Sequence, residues 1–221
     1  MEEQKNPEAF AIFERMFRAE TLKEQEEVFR DANRLMPTFL VEGPRLWSSD
    51  IRFLVDELEK LNESGPMFKG KLDLERLGVF GMSAGRIAAG LVCTEDERFK
   101  AGINMDGGIY GDLVDLKISQ PFIFMNSERY RGYDDLFLAH VDNTAYNITI
   151  EGSGHQNFSD LSIIDPSAPL IGTIDGYRML EILNDYTRAF FDKYLRGIES
   201  PLLSKPSSEY PEARLETKNA E

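Results

Sequence analysis

From residue 77 onward, short apolar runs alternate with helical segments, and this alternation is the feature of the sequence that most restricts its fold. The runs at residues 77–80, 101–105 and 121–125 are rich in branched and aromatic side chains and are apolar at successive positions, as strands buried on both faces must be. Residues 146–150 alternate apolar and polar side chains, which predicts a fourth strand with one more exposed face. The pattern predicts an α/β fold with a mostly parallel sheet of about four strands.

Helical periodicity accounts for much of the remaining chain. It predicts helices at residues 83–94, 133–140 and 174–195, the last of them followed by Gly197 as its end signal. Alternation of strands with helices of this length is typical of a sheet with helices on both faces, and we expect these helices to flank the sheet.

The sequence ahead of the sheet is also predicted to be helical. Asn6 and Pro7 resemble an N-cap and first helical residue, and they are followed by phenylalanines at helical spacing. Thr21 and Glu24 form a capping box that opens a second helix, and Pro37 stops it.

A third helix is predicted to begin at Ser48 or Ser49 and to end at Gly65, after a short strand-like stretch at residues 38–41. Beyond the final helix the chain becomes polar and contains prolines, which favours a loose tail. The predicted regions are a helical N-terminal segment, an α/β domain and a polar C-terminal tail: residues 1–45, 46–200 and 201–221.

The composition excludes several classes of function. With 39 acidic and 25 basic side chains, the net charge of −14 repels phosphate backbones, so nucleic acid is not expected as a partner. The two histidines and single cysteine do not cluster with carboxylates at metal-ligand spacing, and no metal or other cofactor is expected. The N-terminus has no secretory signal and no stretch is long and apolar enough to span a membrane. The chain as given is therefore expected to be cytoplasmic, or extracellular if the true N-terminus lies upstream.

Residues 81–85, Gly-Met-Ser-Ala-Gly, match the pattern G-x-S-x-G at the junction of the first predicted strand and the helix after it. This strand-turn-helix setting is the one that a nucleophile elbow requires. Gly81 and Gly85 allow a tight turn that lifts the Ser83 hydroxyl off the sheet, and the helix N-terminus directs amides toward developing negative charge. Ser83 is therefore a candidate nucleophile, and the alternative is a serine with a purely structural role in the turn.

A serine nucleophile needs a base and an orienting carboxylate. His155 follows the fourth strand in a loop at the carboxyl end of the sheet, where sites gather, whereas His140 ends a predicted helix. Asp106 follows the second strand and Glu128 the third, so either carboxylate fits, while Asp160 is too near His155 along the chain. With Asp106, the chain order is Ser, Asp, His, as in α/β-hydrolases.

Three blocks of sequence surround these residues: FKGKLDLERLGVFGMSAGR, RFKAGINMDGGIYG and EGSGHQNFSDL. Together with the helical stretches SSDIRFLVDELEKLN and IDGYRMLEILNDYTRAFFDKYLRG, they resemble the platelet-activating-factor acetylhydrolase type II family of α/β-hydrolases. The resemblance covers residues 46–204, and the three blocks in combination are specific where each one alone is not.

This resemblance implies a calcium-independent serine esterase that releases short or oxidised acyl chains from phospholipids such as 1-alkyl-2-acetylglycerophosphocholine. It assigns the family's nucleophile to Ser83, its acid to Asp106 rather than Glu128, and its base to His155. In that mechanism the backbone amide of Ala84 donates to the oxyanion, and the partner is a small ester or phospholipid substrate. Two alternatives remain: a general carboxylesterase for small soluble esters, and an inactive fragment that acts as an interaction module.

The chain departs from the family pattern at two places. Members usually read S-F-G-G at the elbow, whereas here Arg86 stands at the fourth position, where it either crowds the helix or reaches into the site. Full-length members also place several strands and an H-G-x-x-G-like loop ahead of the elbow, where this chain has helical segments. We therefore expect a partial α/β-hydrolase fold with a helical N-terminal segment. The exposed edge of its sheet predicts self-association and weak activity.

Overall fold

A computed structural model describes residues 11, 12, 15, 18–35, 37–107, 111–130 and 134–219. The strands of its sheet are β1 (Leu77–Met82), β2 (Phe99–Met105), β3 (Phe122–Ser127), β4 (Ala145–Ile150) and β5 (Ala213–Lys218). They lie in this same order across one sheet, in which β1 to β4 run parallel and β5 runs antiparallel to β4. The prediction of a mostly parallel sheet is confirmed, and β5 is an addition to it.

The helices around the sheet are α1 (Leu22–Leu35), α2 (Thr38–Ser64), α3 (Ala84–Glu95), α4 (Asp135–His140), α5 (Leu161–Ile164) and α6 (Gly176–Arg196). Buried side chains from α1 to α4 form one apolar core with one face of the sheet, and side chains from α6 form a second core with the other face. Strands β2 and β3 lie between these cores and are buried on both faces apart from Lys100, which explains why their sequences are apolar at successive positions. Gly197 follows α6 with a φ of 70°, as predicted for its end signal.

The capping box predicted at the start of the second helix is confirmed. The Glu24 carboxylate accepts a hydrogen bond from the Thr21 amide at 3.0 Å, and the Glu24 amide donates to the Thr21 hydroxyl at 3.2 Å. These bonds satisfy amides that lack partners at the start of α1. Asn6 and Pro7, which mark the predicted first helix, lie outside the described residues.

Helix α1 belongs to the core of the α/β domain. Its Phe29 ring meets the Phe137 ring of α4 edge-on, with ring centroids 5.1 Å apart. The buried side-chain carbonyl of Gln25 accepts a hydrogen bond from the Leu136 amide at 3.1 Å, which satisfies one of the free amides in the first turn of α4. The described part of the N-terminal segment therefore packs on the sheet domain, and the predicted boundary after residue 45 falls inside α2.

Two local expectations about α2 are wrong. Residues 38–41 are helical rather than strand-like, because α2 begins directly after Pro37. A proline at a helix start is tolerated since its missing amide would have no intrahelical partner there. Ser48 lies inside α2 instead of capping it, and its buried hydroxyl donates to the Glu95 carboxylate at 2.6 Å. Gly65 follows the last residue of α2, as predicted.

The C-terminal region differs from the predicted loose tail, because residues 213–218 form β5. This strand pairs along the whole of β4, from Ala145 opposite Lys218 to Ile150 opposite Ala213. The Lys218 ammonium group also donates to backbone carbonyls near the end of α4, including that of Val141 at 2.7 Å. The polar side chains of this segment suit an edge strand, which faces water on one side.

The prediction that β4 has one exposed face is also wrong. Every residue of β4 is buried, and the polar positions Asn147 and Thr149 are each 4% exposed. Asn147 accepts a hydrogen bond from the buried Asn126 at 3.1 Å, so the alternation of polar and apolar residues in β4 does not mark a face in contact with solvent.

Strand β1 lies at the edge of the sheet, and among the described strands only β2 pairs with it. The prediction that residues 77–80 are buried on both faces is wrong: in β1 only Val79 is buried, and the Phe80 side chain is 63% exposed. The expected open edge is therefore present in the described part of the fold. No helix within the described ranges is both long and apolar enough to cross a membrane.

Candidate active site

Ser83 occupies a sharp turn between β1 and α3. Its backbone has a φ of 56° and a ψ of −125°, a conformation that is uncommon for any residue with a β-carbon. The Ser83 amide donates to the carbonyls of Met105 and Asp106 at 3.0 and 3.1 Å, which ties the turn to the end of β2. The side of the turn that bears the hydroxyl is exposed, so Ser83 has the strained and accessible position of a nucleophile elbow.

The first glycine of the pentapeptide is required by the geometry of this turn. A β-carbon on Gly81 would collide with the carbonyl group of Gly85 and would lie 2.8 Å from the Arg86 amide nitrogen. A β-carbon on Gly85 would meet nothing within 4 Å. Only one of the two motif glycines is therefore needed to make room for the backbone.

Asp106 lies directly after β2 and is fully buried. Its Oδ1 accepts a hydrogen bond from the Ser127 amide at 2.6 Å, and its Oδ2 lies 2.7 Å from His155 Nδ1. Both carboxylate oxygens thus have a partner, which offsets part of the cost of removing a charge from water. Because the carboxyl ends of parallel strands meet at one edge, the last residue of β3 and a residue after β4 both reach this carboxylate.

His155 begins a short 3-10 helix (His155–Phe158) that follows β4, and 19% of its side chain is exposed. The Asn157 side-chain carbonyl holds the surrounding loop by accepting from the Gly154 amide at 2.8 Å and the Gly172 amide at 2.7 Å. With Asp106 as the acceptor, Nδ1 carries the proton and Nε2 of the neutral ring is left as a base.

Gly107 marks where the three groups meet. Its φ is 127°, and a β-carbon at this position would lie 3.5 Å from Ser83 Cα and 3.6 Å from His155 Cε1. A β-carbon at these distances would make ordinary contacts, so it is the positive φ that favours glycine here, at a point that touches both the Ser83 turn and the His155 ring. A hydroxyl, an imidazole and a buried carboxylate in this order are the groups that acyl transfer through a serine requires.

The competing candidates lie elsewhere or make other contacts. The Glu128 carboxylate is exposed and accepts from the Gly152 amide at 3.3 Å, and Asp106 rather than Glu128 bonds to His155. Asp160 precedes α5, and its backbone carbonyl accepts from amides within that helix, in keeping with a local capping residue. His140 is the last residue of α4, and partial burial lowers the pKa of its imidazole.

Ala84 is the first residue of α3, so its amide belongs to the free N–H groups at the helix start. Such amides, with the helix dipole, stabilise negative charge beside the elbow. Ala84 is therefore well placed as an oxyanion donor.

A cavity of about 420 Å³ opens beside the imidazole. Its lining combines apolar side chains with polar and charged ones: Ser127, Arg129, Tyr130, Gly154, His155, Leu170 and Ile171. This mixture suits a ligand with an apolar part and a polar or anionic part. In the ranges that the structure describes, no three His, Cys, Asp or Glu side chains come together as a metal site would need.

The sequence left open whether Arg86 crowds its helix or reaches into the site, and the structure shows that it reaches the turn after Asp106. Its partner Asp134 was missed. Arg86 and Asp134 are both 0% exposed and form a salt bridge at 2.8 Å, and Asn126 donates to the same carboxylate at 2.7 Å. The sequence signal for Arg86 is that a charged residue directly precedes the apolar residues of α3. The sequence gives no comparable signal for Asp134, because its partner is far away along the chain.

Residues 59–199 match the sequence profile of the family described as platelet-activating factor acetylhydrolase, isoform II. The chain is 32% identical over 159 residues to the platelet-activating factor acetylhydrolase of Bos taurus, with 66% of this chain and 33% of that protein covered. It is also 32% identical over 163 residues to a probable 1-alkyl-2-acetylglycerophosphocholine esterase of Arthroderma benhamiae, with 62% of this chain and 42% of that protein covered. The chain thus spans less than half the length of either relative.

The fold is similar to that of a ferulic acid esterase from Streptomyces cinnamoneus. The TM-score is 0.70 at 27% sequence identity, and the likeness covers 80% of this chain and 55% of that one. The family match extends over more than half of the chain and includes the segments that carry Ser83, Asp106 and His155. The chain therefore belongs to the platelet-activating factor acetylhydrolase, isoform II family.

Proposed function

We propose that this chain is a carboxylic ester hydrolase with Ser83 as nucleophile, His155 as base and Asp106 as the orienting acid. The observation that carries the proposal is the 2.7 Å contact between Asp106 Oδ2 and His155 Nδ1, made next to a serine on a strained and exposed elbow. Membership of a family that contains esterases supports the same conclusion.

In the proposed reaction, His155 Nε2 takes the Ser83 hydroxyl proton while Oγ attacks the ester carbonyl carbon. Asp106 accepts a hydrogen bond from the Nδ1–H group of His155 and stabilises the imidazolium that forms. The Ala84 amide donates to the oxyanion of the tetrahedral intermediate. The imidazolium then protonates the leaving alcohol, and water hydrolyses the acyl-enzyme by the same steps, which returns the proton to Ser83.

For the substrate we propose a phospholipid ester with a short or oxidised acyl chain. One relative is named a platelet-activating factor acetylhydrolase and another a probable 1-alkyl-2-acetylglycerophosphocholine esterase, although the chain spans only part of each. The cavity beside His155 supports this class, because Leu170 and Ile171 offer an apolar surface and Arg129 brings a positive charge suited to a phosphate. A general carboxylesterase for small esters is the second candidate, and the likeness to a ferulic acid esterase favours it.

The open edge of β1 bears on activity and assembly. We propose that copies of the chain associate through this edge, because a strand with one unpaired row of amides and carbonyls is a template for further pairing. We also propose that turnover is low, since one oxyanion donor is assigned and losing a donor typically costs about a hundred- to a thousand-fold in kcat. If turnover is absent altogether, the chain serves as an interaction module.

The substrate proposal is tested with three esters: a 2-acetyl glycerophosphocholine, its long-chain 2-acyl counterpart and p-nitrophenyl acetate. We expect the wild type to hydrolyse the acetyl phospholipid faster than the long-chain one, and Ser83→Ala to hydrolyse none of them above background. Ser64→Ala, which changes an exposed serine at the end of α2, is the matched control and keeps full activity. Hydrolysis of p-nitrophenyl acetate alone would favour the general carboxylesterase, and activity that persists in Ser83→Ala would contradict the mechanism.

A further inference from the structure

Arg86 is the third residue of α3 and is completely buried, which is rare for an arginine. Burial of a guanidinium group is costly unless every charge is paired and hydrogen-bonded. A buried ion pair is also weak evidence for stability, because well-packed apolar residues of similar volume often stabilise a protein as well or better. The contacts of Arg86 therefore need a reason other than stability.

Those contacts lie on the turn that carries Asp106. Arg86 Nη1 donates to the carbonyl oxygen of Gly107, the residue that follows Asp106. Arg86 Nη2 lies 2.8 Å from Asp134 Oδ1, and Asn126 Nδ2 donates to Asp134 Oδ2 at 2.7 Å. The guanidinium group thus joins α3 to the turn at residues 106 and 107, which we call the acid turn. On its other side it contacts the buried Asp134 carboxylate, both of whose oxygens accept hydrogen bonds.

The acid turn needs such support, because its backbone is strained. Asp106 has a φ of 36° and Gly107 a φ of 127°, so two consecutive residues lie at positive φ. Conformations of this kind persist only where the surrounding structure holds them. The Ser83 amide holds the carbonyl of Asp106 at 3.1 Å, and Arg86 holds the next carbonyl along the chain.

The charges around this turn also depend on Arg86. Asp106 and Asp134 are both fully buried and interact electrostatically, and two nearby carboxylates repel each other in a medium of low dielectric constant. The positive charge of Arg86 balances the negative charge of Asp134. The negative charge of Asp106 then remains available to the His155 imidazolium that forms when the proton of Ser83 is transferred.

We propose that Arg86 is a positioning residue of the esterase site: through the Gly107 carbonyl, and anchored by Asp134, it fixes the turn that aims Asp106 at His155. This inference rests on the proposed roles of Ser83, Asp106 and His155. Arg86 itself bonds to the Gly107 carbonyl and Asp134 rather than to any of those three side chains, so it acts through the backbone of the acid turn.

The test removes both members of the ion pair so that no unpaired charge is left buried. In the paired variant Arg86→Met with Asp134→Asn, kcat for p-nitrophenyl acetate is expected to fall about 100-fold, the size of effect typical of a slightly misplaced catalytic group. KM should change by less than about twofold, because the two substituted residues are not proposed to bind the substrate. The low-pH limb of the kcat/KM profile should move to lower pH, since an imidazolium without its aligned carboxylate is less stable.

Two further variants separate positioning from a general effect on stability. The single change Asp134→Asn leaves the guanidinium charge unpaired and should lower the melting temperature, but it keeps the bond from Arg86 to Gly107, so we expect it to lose much less kcat than the paired variant. Arg98→Met is the matched control, because Arg98 pairs with Asp96 and Glu59 at the other end of β2. It should lower the melting temperature without moving the pH profile or kcat of the folded protein.

The outcomes distinguish the inference from the function on which it rests. An inactive wild type, with no hydrolysis that depends on Ser83, would overturn the proposed function. A wild type with Ser83-dependent activity and a folded paired variant with unchanged kcat and pH profile would overturn only the role of Arg86. Should the paired variant not fold, Arg86→Lys decides: it keeps the charge but not the two separate nitrogens with which the guanidinium group reaches Gly107 and Asp134, and we expect about a tenfold loss of kcat. Turnover and a pH profile equal to the wild type would then contradict the inference.

Discussion

The Asp106 carboxylate joins two neighbouring strand ends, with one oxygen 2.6 Å from the amide of Ser127, the last residue of β3, and the other 2.7 Å from His155 Nδ1 after β4. Each bond uses a separate oxygen, so the imidazole does not compete with the backbone for its acceptor. The arrangement can hold His155 in one tautomer and one orientation while Nε2 exchanges a proton.

The first prediction compares two carboxylates at adjacent strand ends. Asp106→Asn should lower kcat on p-nitrophenyl acetate by about three to four orders of magnitude, because an amide at this position favours the wrong imidazole tautomer. Glu128→Gln should cost little, because Glu128 is exposed and contacts the Gly152 amide instead. An equal or larger loss in Glu128→Gln would show that the orienting acid has been misassigned.

The two glycines of the pentapeptide should differ sharply in tolerance. Gly81→Ala forces a β-carbon into the Gly85 carbonyl, and we expect a loss of about 1 to 3 kcal/mol in the free energy of unfolding together with most activity. Gly85→Ala meets no atom within 4 Å and replaces a helical glycine, so it should stabilise the protein by about 0.5 to 1 kcal/mol. Chemical denaturation of both variants measures this difference, and equal tolerance would contradict the geometry of the elbow.

Association through β1 should depend on its exposed aromatic side chain. Phe80→Lys places a charge on the edge strand, which natural edges use to block pairing, so the average mass in light scattering should fall toward that of a monomer. Phe39→Lys removes a similarly exposed aromatic from α2 and should leave the mass unchanged. A wild type that stays monomeric at every concentration would contradict association through this edge.

Cys93 should serve as a reporter of unfolding. It is 2% exposed, and burial raises the pKa of its thiol to about 12, so the native protein presents almost no thiolate at pH 8. We expect iodoacetamide to modify Cys93 only as fast as the protein opens, whereas an added thiol in Ser64→Cys should react at once. Rapid alkylation of native Cys93 would show that α3 is less well packed than described.

The parallel strands and the elbow were predictable because local sequence determines them. Strands buried on both faces need apolar residues at successive positions, and the turn after β1 needs Gly81 for steric reasons. The same reasoning brought Ser83, Asp106 and His155 to one edge of the sheet, since side chains that follow parallel strands converge there.

What local patterns could not predict depends on partners distant in sequence. The polar segment of β5 becomes a strand because β4 offers a row of unpaired backbone groups, which its own sequence does not reveal. Asn147 and Thr149 alternate with apolar residues as an exposed face would, yet both are buried, and Asn147 accepts a hydrogen bond from Asn126. The pairing of Arg86 with Asp134 likewise exists only in the folded chain.

The most direct test of the account is covalent labelling of the wild type with a fluorophosphonate, followed by intact-mass measurement and peptide mapping. A serine activated by His155 reacts with this probe, whereas an ordinary turn serine does not. We predict a single adduct on Ser83 that is absent from Ser83→Ala and formed far more slowly in Asp106→Asn. An adduct on another residue, or labelling that persists in Ser83→Ala, would contradict the assignment of Ser83 as the nucleophile.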